Sequence, residues 1–357
     1  MARFFLFPFS LLFGVITCVR NKLYDWKCIP SVQYDDIYVI SVGNITVGGT
    51  GKTPFVEYLI RLLSQYYRLA VLSRGYKRKT KGFQFVDNNL TPSDVGDEPY
   101  QIKRKFSNIV VAVDTDRIRG IAKIREKYPE IQVVLLDDAF QYRKIKPNYS
   151  ILLVDYNRPL YHDSMMPGGR LREWPCFAKR ADIMIVTKSP ERITPVVQQV
   201  IKQHYARFFS HDLYFTTLRY GEPLAVFPNS KSLSTSDLKQ YSVLMITGIA
   251  HPKPFEDYLR QHAASVQVIS FPDHHAFTEK DITHIIERWN TIPTTNKILL
   301  TTEKDAVRLQ QMKVHETIAK YTYYVPVEVN FINELSCISL CNRITDNSSR
   351  SQNAQIG

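Results

Sequence analysis

From residue 37 onward, short apolar runs alternate with amphipathic stretches. The runs at 37–42, 69–73, 109–113, 133–137, 151–155 and 183–187 are rich in Val, Ile and Leu and have strand length, so they predict buried strands. Apolar residues recur at helical spacing over 53–65, 116–127 and 193–205. This alternation predicts parallel strands joined by crossover helices: a doubly wound, mainly parallel sheet that binds its ligand at the carboxyl ends of the strands. Around 211–222 the rhythm changes to an extended aromatic stretch (Leu213, Tyr214, Phe215, Thr216), expected to be a linker strand. A second, smaller α/β set follows, with strands at 243–246, 266–269 and 298–301 and helices at 254–262, 278–289 and 303–311. The tail from Asp346 is small and polar and is expected to be disordered. The expected organisation is therefore an N-terminal segment (1–30), a doubly wound domain (31–212), a linker with a second α/β domain (213–345) and a tail (346–357).

The N-terminal segment breaks the pattern. Residues 4–19 carry no charge, are crowded with Phe, and are flanked by Arg3, Arg20 and Lys22. A spanning helix needs roughly 20 apolar residues; this run is shorter and is interrupted by Pro8 and Gly14. A secretory signal would want a small-residue cleavage site, and Ile16-Thr17-Cys18 is a poor one. A buried helix would hold an excess of Phe. The reading that fits best is a membrane-associated helix dipping into one leaflet, with Tyr24 and Trp26 at the headgroup level.

Charge narrows the partners. The net charge of +12 over 357 residues points to an anion: nucleotide, nucleic acid or phosphorylated lipid. No recognisable nucleic-acid module accompanies it. Cys18, Cys28, Cys176, Cys337 and Cys341 are an odd, scattered set without zinc spacing and read as free thiols.

The strand at 37–42 runs into Gly43-Asn44-Ile45-Thr46-Val47-Gly48-Gly49-Thr50-Gly51-Lys52-Thr53-Pro54, and an amphipathic helix follows. Strand, glycine turn and helix form the context in which Gly-Lys-Thr binds phosphate. Backbone N–H groups from Thr46, Val47, Gly48, Gly49, Thr50 and Gly51 converge on phosphate oxygens, Lys52 reaches the outer phosphates, and the Thr53 hydroxyl ligates Mg²⁺. Thr46 stands where the usual pattern has Gly; the double glycine suits a variant of the loop. A nucleoside triphosphate with Mg²⁺ is the expected ligand. Asp137 and Asp138 end the strand at 133–137, where an acid of a phosphate-loop protein meets the metal. In Gly96-Asp97-Glu98-Pro99 the acids are either helix caps or a proton acceptor for an attacking hydroxyl. Ser73-Arg74-Gly75-Tyr76-Lys77-Arg78-Lys79 is either an anion-grasping loop or a solvated charge run. In Pro167-Gly168-Gly169-Arg170-Leu171-Arg172-Glu173, Arg172 is the candidate for stabilising transferred charge. In Asp273-His274-His275, one His oriented by a carboxylate would accept a proton, although a loop His is more often simply exposed.

Together with Leu72-Ser73-Arg74-Gly75-Tyr76, Leu136-Asp137-Asp138-Ala139-Phe140-Gln141 and Thr302-Glu303-Lys304-Asp305-Ala306-Val307-Arg308-Leu309, these motifs occur in an order that resembles the tetraacyldisaccharide 4'-kinases of lipid A biosynthesis, up to about Leu309. The resemblance implies a P-loop NTPase-like fold and MgATP-dependent phosphorylation of the 4'-hydroxyl of an acylated glucosamine disaccharide 1-phosphate. It also implies a peripheral or monotopic protein on the cytoplasmic face of the inner membrane, meeting its lipid surface. The resemblance further implies Asp97 and His274 as a catalytic dyad. Lys52, Thr53, Asp137, Asp138 and, less directly, Glu98, Arg172 and Glu173 would serve nucleotide and metal. Ala139, Tyr142 and the Gly169-Arg170 pair depart from the family's commoner Gly, His and Gly-Pro. His274, placed in the second domain, would reach Asp97 by domain closure. A monomer is expected. The rival readings are a nucleotide-switched, membrane-associated P-loop protein and a kinase acting on another anionic acceptor.

Overall fold

The computed structural model describes residues 2–333, 340, 343 and 344, except 88, 229, 230, 274, 313 and 315. His274, Cys337, Cys341 and the tail from 346 lie outside the described residues; Cys18, Cys28 and Cys176 are free thiols.

The strands in chain order are β1 (Tyr38–Gly43), β2 (Leu69–Ser73), β3 (Gln84–Phe85), β4 (Val110–Val113), β5 (Val133–Asp137), β6 (Tyr149–Asp155), β7 (Ile183–Thr187), β8 (Asp212–Tyr220), β9 (Leu224–Ala225), β10 (Ser242–Thr247), β11 (Ser265–Ser270), β12 (Lys297–Thr302), β13 (Thr322–Val325) and β14 (Val327–Phe331). They form two sheets. The chain divides into two compact units: residues 1–95, 102–218 and 329 onward make the first, and 96–101 with 219–328 make the second.

The first unit holds the nine-stranded sheet, in the order β14-β8-β7-β6-β1-β5-β2-β4-β3. β1 pairs in parallel with β5 on one side and β6 on the other, and all six of its residues are buried. A strand sealed on both faces needs a continuous apolar run, which is what 37–42 supplies. The strand order reverses direction at β1: β2 and β4 lie to one side, β6, β7 and β8 to the other. Loops diverge at such a point and leave a crevice at the strand ends. The helix Lys52–Leu63 buries Phe55, Val56, Leu59, Ile60 and Leu63. The helix Arg117–Lys127 sets Ile121 and Ile124 against Val39, Leu72 and Val134.

Residues 212–220 are a full member of this sheet rather than a linker: β8 runs parallel to β7, and Leu213 and Phe215 enter the core. Their spacing of two is strand periodicity. The first unit thus extends past residue 212 and regains the chain near its end. The second unit is built on the sheet β11-β10-β12-β13-β9, parallel except for β9. Its two faces are covered by the helices Lys253–His262 and Glu279–Asn290, whose Phe255, Leu259, Ile285 and Trp289 fill two cores.

The N-terminal segment is one continuous helix, Ala2–Asp25, despite Pro8. Its face toward the first unit is small and polar: Ser10, Gly14, Thr17 and Asn21, all buried. The Ser10 hydroxyl accepts the Gly168 N–H at 2.9 Å, and the Trp174 indole donates to the Gly14 carbonyl at 3.0 Å. A Cβ on Gly14 would come within 2.7 Å of the Trp174 ring, so only glycine permits this approach. The opposite face carries Phe5, Phe7, Phe9, Leu11, Leu12, Val15, Ile16 and Val19, each at least half exposed. The usual amphipathicity of a surface helix is inverted here.

Candidate active site

The crevice at β1 is built from three turns. The first is the glycine loop. Gly51 has φ 79°, a left-handed conformation that lets the chain turn from the loop into the helix beginning at Lys52. The first N–H groups of that helix then point back over the loop with the positive end of its dipole. Asn44 braces the loop from beneath, donating to Thr50 Oγ1 at 2.8 Å, and Thr187 Oγ1 donates to the Thr50 carbonyl at 2.8 Å.

The second turn follows β5. Asp138 has φ 49°, a conformation that Asp tolerates better than most residues, and the turn brings its carboxylate to Lys52 Nζ (3.5 Å) and Arg172 Nη1 (3.4 Å). Burial alone would push the Asp138 carboxyl up; Lys52 and Arg172 outweigh it and hold the group below the usual carboxylate range. Asp137 accepts the Ser73 hydroxyl at 3.0 Å.

The third turn brings Arg172. Its guanidinium donates to Gln141 Oε1 (3.1 Å), Asn44 Oδ1 (3.0 Å) and the Thr46 carbonyl (3.2 Å) besides meeting Asp138, so it ties the glycine loop to the β5 turn. Lys52, Thr53, Asp137, Asp138 and Arg172 all belong to this crevice in the first unit.

The other expected residues are placed differently. Asp97 and Glu98 group with the second unit, where Arg308 Nε donates to Asp97 Oδ2 at 3.1 Å and Lys304 lies 3.8 Å from Glu98. Arg308 in turn holds the fully buried Asp305 at 3.0 Å, and Asp305 accepts the Gly248 N–H at 2.9 Å. Asp273 and His275, which flank His274, belong to the same unit as Asp97. Domain closure is therefore not what would join Asp97 to the loop carrying His274; one unit carries both. Neighbouring His275 meets Asp281 at 2.9 Å and stacks on Phe271. Glu173, which the family resemblance linked to nucleotide and metal, is fully buried between Arg20 (2.9 Å) and Arg180 (2.5 Å); it anchors the N-terminal helix.

A cluster that the sequence reading missed stands on the other flank of the loop. Asp155, ending β6, meets Lys188 at 2.9 Å and Arg158 at 2.8 Å. Both cations also donate to the Gly49 carbonyl. Asp155 and Thr187 close strands that the pattern located correctly, so their ends at the crevice were the available signal. Burial would raise the Asp155 carboxyl, but Lys188 and Arg158 hold it low. A carboxyl with a depressed folded-state pKa contributes stability that is present above its unfolded pKa and lost as pH falls through the folded one. Asp155→Asn is therefore expected to lower the melting temperature at neutral pH and to flatten its fall below about pH 4. Thermal unfolding of both proteins over an acid series checks this; parallel curves would contradict it.

A glycine loop on a helix N-terminus, a lysine beneath it and an Asp–Arg clamp at the next strand end define a nucleotide-binding phosphotransferase of the P-loop class. The family model for tetraacyldisaccharide-1-P 4'-kinase, LpxK, matches residues 2–344. The tetraacyldisaccharide 4'-kinase of Phocaeicola vulgatus is 43% identical over 92% of this chain and 91% of its own length. That of Flavobacterium johnsoniae is 41% identical over 93% and 94%. The crystal structure of LpxK from Aquifex aeolicus in complex with ATP aligns with a TM-score of 0.75 at 30% identity, covering 96% of this chain and 99% of that one. The chain belongs to the tetraacyldisaccharide 4'-kinase family and is a kinase of lipid A biosynthesis.

Proposed function

We propose that this kinase transfers the γ-phosphoryl group of ATP to the 4'-hydroxyl of a tetraacyldisaccharide 1-phosphate while lying on the cytoplasmic face of the inner membrane. The observation that carries the reading is the charge arrangement at the crevice: Lys52 and Arg172 converge on Asp138, and Arg172 also holds the glycine loop through the Thr46 carbonyl. That geometry supports positioning and charge stabilisation, which are nearly all the protein must supply in phosphoryl transfer.

The residues present fit Mg²⁺. Among the described residues no three His, Cys, Asp or Glu side chains converge into a cage. Magnesium does not need one; it uses one or two carboxylates, phosphate oxygens and waters. Asp138, Asp137 and the Thr53 hydroxyl would hold it, and when bound it would neutralise charge on the phosphates. Arg172 holds the glycine loop against the β5 turn and offers its charge to the transferred group. Asp97 accepts the proton of the attacking hydroxyl, with His274 as its partner.

The inverted N-terminal helix supports the membrane placement. It is long and apolar enough to cross a bilayer. Its contacts from Ser10 to Asn21 hold it along the first unit, however, which leaves only the outward face for lipid. Each exposed apolar side chain would contribute about 1 kcal/mol on partial immersion, weak singly and firm when summed. Replacing Phe5, Phe7, Phe9 and Leu12 with Ser should release the protein from vesicles in a flotation assay without changing ATP affinity; unchanged flotation would refute the anchor. These outward substitutions are a cleaner test than removing the helix, which would leave buried Glu173 without Arg20.

The function itself is tested by transfer of label from γ-labelled ATP to a detergent-dispersed tetraacyldisaccharide 1-phosphate. Labelled lipid that vanishes with Lys52→Ala is the expected result. ATP hydrolysis with no labelled lipid would point to another acceptor.

A further inference from the structure

The connection from β5 to β6 contains no helix, which is unusual for parallel strands. A cavity of about 1060 Å³ lies against β1 and β6 on the side this connection crosses. Its floor is polar. Ser41 of β1 and Ser150 of β6 are register partners at the centre of the sheet, where apolar residues would be expected, and Asp182 stands beside them. Ser41 is 3% exposed and its hydroxyl has no hydrogen-bond partner among the described residues. A buried polar group without a partner in the centre of a core calls for a ligand or water.

Arg143, Arg180, Phe140, Tyr142 and Tyr24 form the walls, with Lys27 and Lys146 exposed at the mouth. Four cations thus face two acids, and one of the four, Arg180, is already paired with buried Glu173 at 2.5 Å. Of the acids, Asp25 is neutralised by Arg143 at 2.9 Å, while burial pushes the Asp182 carboxyl up, even though it accepts the Ser150 N–H. With both wall arginines paired, Lys27 and Lys146 make the mouth electropositive, over a polar floor and aromatic sides, which suits a phosphate attached to a polyol or sugar. Tyr24 and Asp25 end the N-terminal helix, so the mouth opens beside the helix whose outward face is apolar.

We propose that this cavity binds a phosphate-bearing lipid headgroup taken up from the bilayer surface. The headgroup comes either from a membrane phospholipid or, if the acceptor named above is correct, from the 1-phosphate end of the acceptor. Either way the segment 139–142 transmits occupancy to the crevice. Phe140 and Tyr142 line the cavity, while Gln141, between them, donates to the Asn44 carbonyl at 2.7 Å and accepts from Arg172.

Two substitutions fill the space without changing charge: Ser150→Leu on the floor and Gln33→Trp at the exposed mouth, the second retained in case the first fails to fold. Melting temperature and ATP binding report folding. The full-length protein is floated with phosphatidylcholine vesicles, with and without phosphatidylglycerol at about one fifth of the lipid, and its KM for detergent-dispersed acceptor is measured separately. Loss of about tenfold in binding to the anionic vesicles alone would support the proposal and assign the phosphate to a membrane lipid. A KM for acceptor raised about tenfold at unchanged flotation would support it and assign the phosphate to the acceptor. Folded variants that match the wild type in both measurements would overturn it, even if Lys27→Gln/Lys146→Gln weakened flotation, because surface charge alone would explain that loss. The vesicle measurement needs no turnover, so it stands if the assigned acceptor is wrong.

Discussion

Asp97→Asn is expected to lower kcat for lipid phosphorylation by roughly 10²–10⁴-fold, the usual range for removing a general base. ATP affinity should hold, because the nucleotide crevice is built in the first unit and Asp97 groups with the second. The substitution should also be tolerated by the fold. Arg308 keeps Asp305 at 3.0 Å, and an Asn side chain still accepts a hydrogen bond from the guanidinium. Arg308→Met separates orientation from chemistry. It leaves the Asp97 carboxylate in place but removes the group that holds it, and strips buried Asp305 of its cation. Losing one member of a buried pair costs about 3–5 kcal/mol, so the melting temperature should drop along with kcat. Single-turnover transfer with ATP saturating, paired with thermal unfolding, distinguishes the two variants. Asp97→Asn at wild-type rate would remove Asp97 from the mechanism.

Lys52→Ala is expected to cost roughly 10²–10³-fold in transfer, comparable to losing one fixed donor to developing charge, and to weaken ATP binding as well. The reason lies in the crevice. Lys52 both opens the helix that follows the loop and is one of the two cations that hold the Asp138 carboxyl low. With Lys52 gone, burial counts for more and the Asp138 carboxyl rises. Since the ionised form is the one that would hold metal, the acid limb of the residual activity should move to higher pH. A pH–rate profile of the variant measured against the wild type checks the sign; a limb displaced to lower pH would contradict it. Lys52→Arg restores charge with a different shape and should recover ATP binding better than transfer.

The placement of Asp97 changes how such experiments are read. A loss on substituting Asp97, Arg308 or the loop at 271–277 reports on one unit, while Lys52, Asp138, Arg172 and Asp155 report on the other. Varying ATP at fixed lipid, and lipid at fixed ATP, should sort the two sets by which KM responds.

Much of this was legible along the chain. The strands at 69–73, 133–137 and 183–187 fall at their predicted bounds, because a strand buried on both faces must be a continuous apolar run and few other elements look like one. The glycine loop was recognisable because left-handed backbone and close approach demand glycine at fixed spacing, and Lys52 follows at once. Asp137 and Asp138 could be placed at the crevice because their strand end lies at the carboxyl edge of such a sheet, where ligands bind.

Tertiary structure alone decided the rest. Asp155, Lys188 and Arg158 are separated by more than thirty positions in part and meet only because β6 and β7 end side by side. The membership of β8 in the large sheet depends on its pairing with β7, since an alternating aromatic run suits a linker and a strand equally well. The N-terminal helix was legible as apolar, but its inversion was not: which face meets protein and which stays exposed is set by Trp174, Gly168 and Arg143 from distant loops. Likewise the composition marks Asp97 as a capping or catalytic acid, and only the position of Arg308, over two hundred residues away, shows which unit holds it. Local pattern reports what a segment buries and how its backbone turns; which charges meet is settled only when the sheets bring distant strand ends together.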